Sequence, residues 1–221
     1  MEMYKTVLFD LDGTLLNTIT DLANAANRVC AKRGWPQYGE DTYRYFVGNG
    51  IPKLVERFTP EAQRTPDTLA AVLKEFDADY GAHMKDATAP YPGMRALLPR
   101  LKAHGIQMAV FSNKADHLAG QVVADYFDVS TLDLVRGLLP DMPPKPAAKG
   151  TLALMQAIGA DPAHTLYVGD SNVDVETAKN AGLPCCGVLW GFRTRAELQA
   201  AGADFLAESA EELEAIILQN G

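Results

Sequence analysis

The chain has 221 residues, 48% of them apolar, and a formal charge of −8. Such a chain can bury a sizeable core, as one large domain or two unequal ones, and is not disordered. The negative charge argues against general affinity for nucleic acid or an anionic membrane surface, and no apolar run is long enough to span a bilayer.

Thr6 to Phe9 is a short apolar, β-branched run that predicts a central strand. It ends in Asp10-Leu11-Asp12-Gly13-Thr14. The acidic pair in so short a run also argues against a secretory signal. From Thr18 to Arg33 apolar residues recur every three or four positions (Leu22, Ala25, Ala26, Val29), which predicts a helix stopped by Gly34-Trp35-Pro36. From Tyr43 to about His83 the pattern stays helical, with breaks at Gly48-Asn49-Gly50 and Thr59-Pro60. No strand-like alternation occurs there, so the segment reads as a helical domain inserted after the first strand.

Beyond Pro90-Tyr91-Pro92-Gly93 an alternating pattern begins. Helices are expected over 94–101, 118–126, 148–158 and 173–180, and strands over 106–111, 132–135, 165–168, 185–189 and 203–206. A proline-rich loop, 140–146, holds Lys145, and Ser209 with Glu212 predicts a capping box for the last helix. Repeated strand–helix units imply an α/β fold: a Rossmann-like, mostly parallel sheet with an inserted α-helical cap domain. The expected division is 1–15 core, 16–85 cap and 86–221 core. The cysteines, Cys30, Cys185 and Cys186, form no disulfide framework and fit a reducing, cytoplasmic setting.

In such a sheet, ligands bind beyond the carboxyl ends of the strands. Asp10, Ser112 and Asp170 each follow a predicted strand, so the fold can gather them at one edge. Asp10 and Asp12, two apart in extended backbone, point to the same side, and Gly13 permits a sharp turn. Carboxylates this close repel, which suits division into a nucleophile and a proton donor. Magnesium, which prefers hard oxygen ligands, would bind Asp10 and Asp170 and relieve the repulsion. Ser112 offers a hydroxyl to a phosphoryl oxygen, with the amide of Asn113 nearby. Lys145 can neutralise developing charge. Asp174, in the first turn of the next helix, can hold Lys145 or a metal-bound water. Together these residues point to magnesium-dependent phosphoryl transfer on an aspartate.

Asp10-Leu11-Asp12-Gly13-Thr14-Leu15, Ser112-Asn113-Lys114, Lys145-Pro146 and Gly169-Asp170-Ser171-Asn172-Val173-Asp174 resemble the four motifs of the haloacid dehalogenase-like hydrolases. Val47-Gly48-Asn49-Gly50 and Thr177-Ala178-Lys179-Asn180-Ala181-Gly182 are similar to the phosphoglycolate phosphatase subgroup within that family. The resemblance implies Asp10 as nucleophile, forming an aspartyl-phosphate. It implies Asp12 as general acid and then base, with its carbonyl on magnesium. Thr14, Ser112 and Asn113 would hold the phosphoryl group, and Lys145 would stabilise Asp10 and the phosphate. Asp170 would complete the protein ligands of Mg2+, supported by Asp174. Gly48, Asn49 and Gly50 would face a small phosphorylated metabolite from the cap.

Two departures stand out. Asn17 replaces the aspartate of many relatives, which leans toward an inorganic pyrophosphatase. The third motif reads Lys145-Pro146-Ala147-Ala148, without a second proline, so a less rigid loop is expected. A sugar-phosphate mutase is a further alternative. Monomer and homodimer are equally compatible with the sequence.

Overall fold

A strand covered on both faces needs no polar alternation. Thr6–Phe9 (β1) fits that rule and is buried throughout. The computed structural model describes residues 4–218. After β1 the chain turns through Gly13 into the two-residue strand Leu16–Asn17 (β2). Four helices follow: α1 (Ile19–Lys32), α2 (Glu40–Phe46), α3 (Ile51–Phe58) and α4 (Pro66–His83). The return strand Ala89–Pro90 (β3) pairs with β2. Then come α5 (Met94–Ala103), β4 (Gln107–Ala115), α6 (Asp116–Tyr126) and β5 (Leu134–Leu138). The chain ends with α7 (Ala148–Ile158), β6 (Thr165–Gly169), α8 (Asn172–Asn180), β7 (Cys185–Val188), α9 (Arg195–Ala201), β8 (Phe205–Ala207) and α10 (Ala210–Leu218).

The chain forms two compact units, one helical (Asn17–Ala89) and one built from the flanking segments. The helical unit runs past the expected boundary at residue 85. Asp21 of α1 draws the returning chain in: its carboxylate accepts the amides of Ala87 (2.9 Å) and Thr88 (2.8 Å) and the Thr88 hydroxyl (2.7 Å). In this unit α1 packs on α4. Phe58, Phe76 and Tyr80 form a run of rings with centroid separations of 6.1 and 5.6 Å.

The other unit is an α/β domain. Its six-stranded sheet has the order β5-β4-β1-β6-β7-β8, and every neighbouring pair is parallel. Leu8, Phe111, Leu154, Tyr167, Val175 and Leu198 pack in its core. From β1 the chain adds β4 and β5 on one side, then crosses to add β6, β7 and β8 on the other. The order therefore reverses at β1, where ligand sites of open α/β sheets lie.

Two expectations need adjustment. β4 continues past Phe111 through Ser112, Asn113 and Lys114, which lie inside the strand rather than after it. The β4–β5 register is irregular between Phe111 and Ala115. In α10 the Ser209 hydroxyl accepts the Glu212 amide, but the Glu212 carboxylate takes the amide of Glu208 instead of closing the box on Ser209. All three cysteines are free and buried. Among the described residues, no helix is long and apolar enough to cross a membrane.

Candidate active site

Three parallel strands, β4, β1 and β6, deliver the candidate residues to one edge of the α/β unit. Asp10 follows β1, and its amide donates to Val168 O of β6 (2.8 Å). Lys145 Nζ lies 2.8 Å from Asp10 Oδ1 and 2.7 Å from Asp174 Oδ1, and all three residues are buried. One ammonium thus joins the expected nucleophile to the first turn of α8. Burial pushes the Asp10 carboxyl well above the usual carboxylate range; the nearby Asp174 and Asp170 charges push the same way, and Lys145 opposes them. Burial alone would lower the Lys145 pKa, but Asp10 and Asp174 outweigh it and raise it well above its ordinary value.

Asp174 has a double duty. Its Oδ1 meets Lys145, and its Oδ2 accepts the Ser171 hydroxyl (2.6 Å) and amide (3.1 Å), closing a capping box on α8. Asp170 is held by the Phe192 amide at Oδ2 (2.6 Å) and the Thr14 hydroxyl at Oδ1 (3.4 Å). Burial, then repulsion from Asp174, pushes its pKa up to about 7, against the Phe192 amide and the charges of Arg193 and Lys145.

Carboxylate oxygens of Asp10, Asp170 and Asp174 all lie within 4.8 Å of one another. This cluster tests whether the residues fit a metal. The donors are hard oxygens, the carboxylates repel, and with Asp12 the four carboxylates outnumber the three nearby cations Lys114, Lys145 and Arg193. That combination suits a divalent cation of the magnesium type. Both Asp174 oxygens are engaged at 2.7 Å or less, by the Lys145 ammonium and the Ser171 hydroxyl, whereas Asp170 Oδ1 has only the 3.4 Å contact from the Thr14 hydroxyl among the hydrogen bonds of the described residues.

The turn after β1 depends on glycine. Gly13 has φ of 94°, and a Cβ there would fall 2.3 Å from Asp170 Oδ2. The Asp12 carboxyl group is paired with Lys114: its oxygens lie 3.0 and 3.2 Å from Lys114 Nζ. In β4 the Ser112 hydroxyl is buried and accepts the Lys114 amide (3.2 Å). The Asn113 side chain clasps the Lys145 backbone from both sides, accepting its amide (2.7 Å) and donating to its carbonyl (3.2 Å). Asn180 of α8 donates to Pro146 O (2.8 Å). These three bonds anchor the lysine loop where the second proline is absent, so the expected loosening is offset.

The structure brings Asp10, Asp12, Thr14, Ser112, Asn113, Lys145, Asp170 and Asp174 into one unit at one sheet edge. Gly48, Asn49 and Gly50 belong to the helical unit, between α2 and α3. Arg57 shapes that loop by donating to Asn49 Oδ1 (2.9 Å) and Phe46 O (2.7 Å). The charges of Arg44 and Lys53 are partnered on their own helices by Asp41 (3.9 Å) and Glu56 (2.7 Å).

Sequence reasoning missed two contributors. Lys114 was visible as part of the second motif, and a lysine so near an apolar strand signals a buried partner. The segment Trp190-Gly191-Phe192, after β7, ends a strand on the same sheet edge. Trp190 Nε1 donates to Thr14 O (2.9 Å), and a Cβ on Gly191 would fall 2.2 Å from Asp170 Cβ and 2.6 Å from Gly13 O. This loop therefore lies directly against the Gly13 turn and Asp170.

Residues 7–188 match the model of the haloacid dehalogenase-like hydrolase family. A phosphoglycolate phosphatase of Pseudomonas putida is 36% identical over 194 residues, covering 85% of this chain and 70% of that protein. A plasmid-borne phosphoglycolate phosphatase of Cupriavidus necator is 35% identical over 219 residues, covering 96% and 92%. A crystal structure from Lactobacillus delbrueckii subsp. bulgaricus, provisionally assigned the same activity, superposes with a TM-score of 0.93 at 30% identity, covering 98% of this chain and 99% of that one.

Proposed function

Because the chain belongs to the haloacid dehalogenase-like hydrolase family and is a phosphoric monoester hydrolase of that family, we propose that it hydrolyses 2-phosphoglycolate to glycolate and phosphate through an aspartyl-phosphate on Asp10. The observation that carries this reading is the buried Asp10–Lys145–Asp174 chain beside Asp170, with Asp12 two residues from the nucleophile.

Lys145 orients the Asp10 carboxylate, which attacks phosphorus. As the Asp10–phosphorus bond forms, the bond to the leaving oxygen breaks, and protonated Asp12 gives its proton to that oxygen. Asp12, now a carboxylate, takes a proton from water as the water oxygen attacks phosphorus. The Asp10–phosphorus bond breaks, phosphate leaves, and both aspartates return to their starting states. Ser112, Thr14 and Asn113 hold the phosphoryl group and its surroundings. Asp10, Asp170 and the Asp12 carbonyl would hold Mg2+, which when bound offsets the charge of the carboxylates and of the phosphoryl oxygens. Substrate choice is assigned to the helical unit, through the Gly48-Asn49-Gly50 loop that Arg57 shapes.

The test is phosphate release, with and without magnesium, from 2-phosphoglycolate, pyrophosphate and a panel of sugar phosphates, with Asp10→Asn as the blank. A kcat/KM preference for 2-phosphoglycolate of at least about tenfold, or about 1.4 kcal/mol, supports the assignment. A preference for pyrophosphate overturns it and makes Asn17 the informative departure. Sugar-phosphate isomerisation without net phosphate release overturns it in favour of a mutase.

A further inference from the structure

We propose that Lys114 is the positioning residue of the leaving-group acid, holding the Asp12 carboxyl group where the departing oxygen will meet it. The inference rests on the reading that Asp12 protonates that oxygen. Its basis is a pairing that no local pattern requires. Lys114 Nζ spans both oxygens of Asp12 at 3.0 and 3.2 Å, and the Lys114 side chain is only 1% exposed.

The lysine is placed with some precision. A regular strand sends alternate side chains to opposite faces. β4 lies between β5 and β1 and is buried on both faces, so Ser112, Asn113 and Lys114 are all buried, and the β4–β5 register is irregular there. Gly137 of β5 lies so close that a Cβ on it would fall 2.4 Å from Lys114 O. The Lys114 amide is tied to the Ser112 hydroxyl. At the other end, Asp12 sits in the turn closed by the Gly13 amide on Leu16 O (2.8 Å). An aspartate side chain has two free torsions, and an ammonium bridging both oxygens restrains both. Proton transfer needs the acid within hydrogen-bond reach of its target, so that restraint has catalytic value.

The two buried lysines thus divide the reaction. Lys145 is bound to Asp10 and Asp174, on the side of attack. Lys114 is bound to Asp12, on the side of departure.

The proposal makes the cost of losing Lys114 depend on the leaving group. An alkyl phosphate such as 2-phosphoglycolate needs a proton on its departing oxygen, whereas p-nitrophenyl phosphate releases a stabilised aryloxide without one. kcat/KM reports steps through leaving-group departure, before water attacks. We expect Lys114→Met to lower kcat/KM at least about tenfold on 2-phosphoglycolate and less than about threefold on p-nitrophenyl phosphate. In the Asp12→Asn background, adding Lys114→Met should lower the alkyl rate no further, because the lysine acts through the aspartate. Equal losses on the two esters, or additive losses in the double variant, overturn the proposal.

Lys114→Met removes the buried cation that Asp12 faces. If that variant fails to fold, Lys114→Arg carries the same decision: a partial loss confined to the alkyl ester supports the proposal, and an even loss overturns it. A wild-type protein inactive on both esters would sink the phosphatase reading, and this inference with it. An active wild type with additive variants would sink the Lys114 assignment alone.

Discussion

Each of the two units buries carboxylates, but it surrounds them differently. In the helical unit Asp21 is 1% exposed and, among the described residues, accepts from neutral donors: two backbone amides and one hydroxyl. In the α/β unit Asp10, Asp170 and Asp174 crowd one another, and two of them have raised pKa values. A carboxylate satisfied by fixed dipoles ties chain segments together and has nothing left to react with. Carboxylates pressed against each other keep an unmet demand for positive charge, which a metal or a transferring phosphoryl group's counter-charges can answer. Burial alone does not separate the two groups of carboxylates; unresolved repulsion does.

Exchanging the damage between the two units breaks or sharpens this comparison. Asp10→Asn should reduce kcat/KM by at least about 10⁴-fold while the protein stays folded, because the nucleophile is lost and a repulsive charge removed. Asp21→Ala should do the reverse. It strands the Ala87 and Thr88 donors and should cost about 3 kcal/mol of stability in denaturant unfolding, with kcat/KM of the folded protein preserved. A catalytic collapse in Asp21→Ala at full stability would erase the distinction.

A smaller effect is expected at Gly191, which touches Asp170 without being a ligand. Gly191→Ala should push Asp170 aside and weaken Mg2+ binding about tenfold by calorimetry. Unchanged affinity would show that the loop after β7 merely covers the site.

The smallest effect concerns pH. Burial and the Asp174 charge push the Asp170 carboxyl up to about 7 without metal, from an ordinary value of 3.8. A carboxyl whose folded pKa is raised contributes stability that is fully present below the unfolded pKa and is lost as pH rises through the folded one. The metal-free protein should therefore lose stability between about pH 4 and pH 7 from this group. Protons and Mg2+ compete for the same oxygens, so the rise in Tm caused by Mg2+ should be larger at pH 8 than at pH 5.5. A rise independent of pH would mean that the cation binds away from Asp170.

Much of the site was legible because its parts are local. Asp10-Leu11-Asp12-Gly13 carries its turn and both carboxylates within four residues, and Gly169-Asp170 follows a strand visible as an apolar run. The helical insert was legible from its period, and the alternating strands and helices after Pro90 implied the parallel sheet. Its residue boundaries were not so clear, since the hold of Asp21 on Ala87 and Thr88 depends on chain return, not on pattern. For the same reason Asp21 and Asp10 look alike in sequence: each is an aspartate beside apolar residues.

The amino-acid sequence by itself determined the order of strands and helices, the acidic turn after β1 and the family of chemistry, because these reside in spacings of a few residues. Tertiary structure alone decided the partnerships. Register across β4, β1, β6 and β7, with the Asn113 hold on the Lys145 backbone, set Lys145 between Asp10 and Asp174, Lys114 on Asp12, and Phe192 on Asp170. Which charge meets which is fixed by distances through space between residues far apart in the chain, and a periodicity of two or 3.6 residues carries no record of them.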